Sequence, residues 1–155
     1  MAPSRPRCGV SSADPLHRLG SEHAGGPGTW TWAVMLADET GIGSTAVTVC
    51  SPEHRRARFG YLIDPAHWGR GYATEVAGLV LGFARTTLGM HRVEATCHPE
   101  NVGSQRVLEK VGLRQEGRMR DHLLVRGAWR DSLLYAAITT EGPDAAPRSD
   151  PTAPG

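Results

Sequence analysis

Between an alternating segment and a helix-patterned one, the chain runs Trp68-Gly69-Arg70-Gly71-Tyr72-Ala73-Thr74. No other stretch limits its fold so sharply. Upstream, Phe59, Tyr61 and Ile63 occupy one side of a period-two pattern and Arg58, Gly60 and Leu62 the other, which predicts a strand over 57–64 ended by Pro65. Downstream, Val76, Leu79, Val80 and Phe83 recur at helical spacing, which predicts a helix over about 75–88 with Gly89 as its stop. A strand feeding a helix through small residues leaves the first helical N–H groups unpaired and adds the positive end of the helix dipole. Such a turn can cradle a pyrophosphate. Gly69, Gly71 and Ala73 let the backbone approach, and Arg70 adds charge. Glycine spacing alone fits a plain strand-to-helix turn equally well. The dinucleotide-binding pattern wants a third glycine where Thr74 stands and an acid closing the next strand, whereas Glu94 lies early in its strand.

The rest of the chain fits around this unit. Trp30, Trp32, Val34 and Leu36 read as a strand, Asp38 to Ser44 as a turn, and Thr45 to Cys50 as a second strand, giving a hairpin. Arg92 to His98 reads as a strand with Val93, Ala95 and Cys97 on one side. Asn101 is placed to cap a short helix carrying Val107, Leu108 and Val111, and Gly112 ends it. Strands over 118–125 and 131–139 follow, joined at Arg126-Gly127. Residues 1–28 are rich in Pro and Gly and read as irregular, with one helical turn around Pro15 to Leu19. Residues 141–155 read as a disordered tail, which leaves one domain over 29–140.

Charge and cysteines narrow the function classes. A formal charge of +1 does not suit a protein that neutralises phosphate chains, so no nucleic-acid partner is expected. Cys8, Cys50 and Cys97 are odd in number and lack metal or redox spacing. They read as thiols of a reduced, cytoplasmic compartment, with no metal site. No apolar run reaches the roughly 18 residues of a spanning helix, so no membrane partner is expected.

A second informative segment runs from His98 to Leu113. Asn101 and Ser104 stand three apart at a helix start, where their side chains can point to the mouth left by the preceding strand. A cap and a first-turn residue would account for them as well.

Together the two segments resemble the GNAT superfamily of N-acetyltransferases, most closely its RimJ/RimL-type branch. The resemblance spans about Trp30 to Ile138. It rests on Gly60-Tyr61-Leu62-Ile63, Trp68 to Glu75, Asn101 to Ser104, Val107 to Leu113, Glu116-Gly117 and Gly127 to Asp131. It implies an α+β fold: a mixed, splayed sheet flanked by helices, here with a shortened or irregular N-terminal part, since family members usually begin with a strand and two helices. It implies acetyl-CoA as cosubstrate, lying between the strands at 58–64 and 92–98. The pantetheine arm would pair near Leu62 and Ile63, the pyrophosphate would rest on the turn formed by Trp68, Gly69, Arg70, Gly71, Tyr72, Ala73 and Thr74, and Asn101 would contact the cofactor. Ser104 would protonate the departing thiolate.

The expected reaction is direct attack by a primary amine, from a protein N-terminus or a small molecule, on the thioester. An ammonium must first lose a proton. Some RimL-like enzymes place a glutamate where Leu123 stands, and Leu123 cannot serve. Glu94, His98, Glu100, Asp121 and His122 are the substitutes. The expected catalytic set is therefore Ser104, His98 and Asn101. Trp30, Trp32 and Trp129 either line an acceptor pocket or pack the sheet. The rival reading is a catalytically inactive acyl-CoA-binding or sensing module. An uncovered apolar face would favour a homodimer.

Overall fold

A computed structural model describes residues 16–22 and 28–139. The strands are β1 (Leu16–Glu22), β2 (Thr29–Leu36), β3 (Gly41–Ser51), β4 (Arg56–Ile63), β5 (Arg92–Cys97), β6 (Arg114–Val125) and β7 (Ala128–Ile138); the helices are α1 (Tyr72–Thr86) and α2 (Val102–Lys110). The strands form one sheet in the order β1-β2-β3-β4-β5-β7-β6. All neighbours are antiparallel except β4 and β5, which α1 connects as a parallel pair. The mixed sheet with crossing helices is the α+β arrangement expected.

The N-terminal expectation needs correction. In place of a helical turn near residues 15–19, Leu16–Glu22 is a strand paired with β2 from Leu16↔Leu36 to Glu22↔Thr31. Its own sequence alternates poorly; the free edge of β2 supplies the partner that makes it a strand. Residues 1–15, 23–27 and the tail expected at 141–155 lie outside the described residues.

The hairpin is also longer than expected, because β3 begins at Gly41 inside what reads as a turn. Gly43 is there for contact: a Cβ on it would lie 2.0 Å from the Leu62 carbonyl oxygen. Only glycine permits that approach, and it fixes how closely β3 and β4 run.

The core lies on the face bearing Phe59, Val93, Ala95 and Tyr135, against both helices. Alternation puts Val93, Ala95 and Cys97 into it. α1 starts three residues earlier than expected and buries Tyr72, Val76, Ala77, Val80, Leu81 and Ala84. Phe83 is half-buried and meets Trp32 edge-to-face, with centroids 4.9 Å apart. Trp30 also meets Phe83, at 6.0 Å, so both tryptophans pack the sheet against α1. Gly89, at φ +66, closes α1, and the Met90 N–H returns to the Ala84 carbonyl at 2.9 Å. Arg126 (φ 51) and Gly127 (φ 77) form the tight turn between β6 and β7.

Candidate active site

β4 and β5 are bonded only at Arg56↔Arg92, Ala57↔Val93 and Arg58↔Glu94. Beyond that, β4 stays on β3 as far as Gly43↔Ile63, and β5 stays on β7 as far as Cys97↔Leu133. The C-terminal halves of the two parallel strands therefore diverge, and a gap opens in the middle of the sheet. On β4, Asp64 donates its N–H to Ile42 at 2.7 Å, and the Leu62 carbonyl faces Gly43. By alternation, Tyr61 and Ile63 turn their main-chain groups to the gap. Of the two residues expected at this edge, Ile63 offers its backbone, while Leu62 offers an exposed side chain. The Ile63 carbonyl already accepts the Trp68 indole N–H at 2.7 Å, which latches the turn to the strand.

The turn itself is built from glycine geometry. Gly69 (φ 74) and Gly71 (φ 82) are left-handed, and a Cβ on either would touch nothing within 4 Å. Gly71 is the N-cap of α1 and provides no side chain to occupy the first N–H groups. A cavity of about 240 Å³ lies there, lined by Gly69, Gly71, Ala73 and Thr74 and, from α2, by Gly103, Arg106, Val107 and Lys110. Arg70 is exposed and is not part of this lining, whose basic residues are Arg106 and Lys110. The Tyr72 side chain is in the core, which leaves only its main chain for a ligand. The missed residues carried a signal: 103, 106, 107 and 110 follow i, i+3, i+4, i+7 and share one face of α2.

At the start of α2, the Asn101 side chain accepts the Ser104 N–H at 3.0 Å, so it acts as the cap. Ser104 Oγ lies 2.9 Å from the Tyr61 hydroxyl, joining α2 to β4 across the gap. Tyr61 was not singled out from sequence, because its partner lies 43 residues away. Burial pushes its phenol above the usual range, the bond to Ser104 opposes this, and neighbouring Cys97 adds to it. The phenol thus stays protonated and able to donate. The Cys97 thiol is itself raised by burial and by Glu109.

His98 is tied to the loop that follows β5. Its Nδ1 accepts the Glu100 N–H at 3.1 Å, so the neutral ring carries its proton on Nε2. In that tautomer Nε2 is a donor. Among the other candidates, Glu94 is held by Arg92 Nε at 2.8 Å. The Asp121 N–H is bound by Asp131 at 3.0 Å, and His122 Nδ1 lies 2.9 Å from Ser132 Oγ. A second cavity, of about 320 Å³, opens beside the end of β5 among Thr96, Cys97, His98, Leu123, Arg130 and Ser132. Trp129, 60% exposed, is not among its lining residues. Among the described residues no group of His, Cys, Asp and Glu could hold a metal ion, and no helix is long and apolar enough to cross a membrane.

The family described as acetyltransferase (GNAT) domain matches residues 12–114. The chain is 41% identical over 85 residues to a probable N-acetyltransferase, YjcK, of Bacillus subtilis, covering 55% of this chain and 47% of that protein. It is 35% identical over 82 residues to the [ribosomal protein uS5]-alanine N-acetyltransferase of Escherichia coli, covering 53% and 42%. A solved GNAT-family acetyltransferase from Bacillus anthracis superimposes with a TM-score of 0.66 at 31% identity, covering 72% of this chain and 67% of that one. The chain thus spans about half the length of the curated relatives it matches.

Proposed function

The chain belongs to the GNAT acetyltransferase domain family, and on that premise we propose that it transfers an acetyl group from acetyl-CoA to a primary amine. The observation that carries this reading is the gap beyond Arg58↔Glu94, with the glycine turn at one end and the Tyr61–Ser104 pair across it. A slot of this kind, with donors fixed in advance along it, can hold a thioester in position for attack.

On this reading the N–H groups at Gly69 to Thr74, assisted by Arg106 and Lys110, hold the pyrophosphate. The Tyr61 and Ile63 main chain borders the pantetheine arm, with Trp68 steadying that edge and Leu62 flanking it. Ser104 gives its proton to the departing sulfur, and the phenol of Tyr61, kept neutral by burial, donates to Ser104 Oγ and leaves the Ser104 proton free for the sulfur. Asn101 positions Ser104 through its N–H and contacts the cofactor. The cavity beside β5 receives the acceptor. A relative named for acetylating alanine of a ribosomal protein supports a protein N-terminus as one acceptor class; a small amine is the other. The free thiols of Cys50 and Cys97 fit a cytoplasmic setting. Exposed Leu124 and Trp129, opposite one another on the β6–β7 hairpin, favour pairing with a second copy.

The test is thiol release from acetyl-CoA across a panel of amines, with CoA-induced thermal stabilisation measured alongside. Stabilisation with turnover on at least one amine is the expected result. Failure of millimolar CoA to stabilise the folded protein overturns the reading.

A further inference from the structure

An irregularity in β6 aims an imidazole at a buried hydroxyl. Met119 pairs with Ser132 and Leu123 with Arg130, so Arg120, Asp121 and His122 together stand opposite Asp131. Asp131 holds this bulge: its Oδ1 accepts the Asp121 N–H at 3.0 Å and its Oδ2 accepts Arg118 Nε at 2.7 Å. Asp121 sits at φ 48, an uncommon conformation for a residue with a side chain. Bulges beside functional sites re-aim side chains, and backbone strain gathers in such places.

The side chain re-aimed here is His122, whose Nδ1 lies 2.9 Å from Ser132 Oγ. Ser132 is only 3% exposed, yet it lines the cavity of about 320 Å³ at the end of β5. Its neighbour Leu133 points into the helix-covered core, so Ser132 faces the other side of the sheet. Cys97 lines the same cavity from the part of β5 that has left β4, and Tyr61 lies on the part of β4 across that gap. The cavity therefore lies beside the open part of the β4–β5 seam. His122 is half-buried, which gives its ring a route to water.

We propose that Ser132 and His122 form the proton outlet of the acceptor cavity, an inference that rests on the acetyl-transfer reading above. An alkylamine enters as an ammonium. Its nitrogen passes one proton to Ser132 Oγ as the Ser132 proton moves to the lone pair of His122 Nδ1, and the resulting imidazolium discharges to water. The freed nitrogen lone pair forms the N–C bond while the C–S bond breaks. The second proton shed by nitrogen balances the one that sulfur gains through Ser104. The sum is ammonium plus thioester giving amide, thiol and one proton in solution. Ser132 is the catalytic residue of this outlet, and His122 acts through it.

The probes are n-butylamine, almost wholly protonated at neutral pH, and hydroxylamine, already largely neutral. In His122→Gln the amide can still bond Ser132 but cannot take up a proton. The expected result is a fall of about 100-fold in kcat with butylamine but less than about threefold with hydroxylamine, with KM for acetyl-CoA unchanged. Thermal stabilisation by CoA equal to that of the wild type confirms folding; should His122→Gln not fold, Ser132→Ala is read by the same comparison. Equal losses with both amines, or no loss with either, overturn the outlet and leave the transfer reading standing. Wild-type protein that binds CoA yet acetylates no amine of the panel above overturns both.

Discussion

The Tyr61 hydroxyl on β4 and the Ser104 hydroxyl on α2 lie 2.9 Å apart, bridging the strand and the helix at the place where the sheet opens. Neither residue reaches the other through local structure; the parallel crossover brings them together.

This pair is expected to govern the departure of thiolate. Ser104→Ala should lower kcat about 100-fold, and Tyr61→Phe, which keeps the serine but removes its orienting donor, about tenfold. In both, calorimetric affinity for CoA should stay within about twofold of wild type. Steady-state rates at saturating amine check this, and a full-rate Ser104→Ala enzyme removes the serine from the reaction.

Two glycines separate ligand approach from backbone freedom. Gly71→Val places a β-branched residue at φ 82 and sends its Cβ into the space left for a ligand. It should cost about 1–2 kcal/mol of stability and at least about 100-fold in CoA affinity. Gly60→Ala, also with open space around its Cβ but without a left-handed φ, should shift stability by less than about 0.5 kcal/mol and leave affinity alone. Unchanged CoA affinity in Gly71→Val would contradict the assignment of the turn.

Arg106→Gln and Lys110→Gln should each weaken CoA about tenfold. The loss should shrink as salt is added, because both side chains act by charge across a solvent-open cavity. The kcat at saturating cosubstrate should not move. Titration at low and high ionic strength decides it, and salt-independent losses would point to a structural role.

The alkaline limb of stability also has a predicted sign. Burial raises the Cys97 thiol above its ordinary 9.0, and burial raises Tyr61 and Tyr135 above 10.0. The unfolded chain therefore ionises first and binds fewer protons than the folded one in that window. Stability should fall as pH rises past about 9 and more steeply past about 10. Melting curves taken from about pH 8 to 11 test this; Cys97→Ala should remove the earliest part of the decline, and a flat profile would refute it.

Sequence reading succeeded where the signal was local. The alternation of Phe59, Tyr61 and Ile63, the apolar face of the helix after the glycine turn and the cap at Asn101 each depend on residues within a few positions. It failed where a partner decides. β1 exists because β2 offers an edge, and Gly43 looks like a turn residue until the Leu62 carbonyl beside it is seen. The glycine turn was legible, but Arg106 and Lys110, which line the cavity beside it, stand on another element and were not. The bulge at Asp121 left no mark in the periodicity, since its cause is the carboxylate of Asp131 on the neighbouring strand.

Only three rungs tie β4 to β5, although this seam lies at the centre of the sheet. A long ligand lying along the open part would act as a splint, sharing load between two halves otherwise joined by the helices and those few bonds. Sturdiness would then track the supply of the occupant, rising with the logarithm of its concentration once sites fill. If the acetyl-transfer reading holds, a chain of this design would keep its shape best in a well-fed cell and become the easier target for proteolysis when acyl carriers run short.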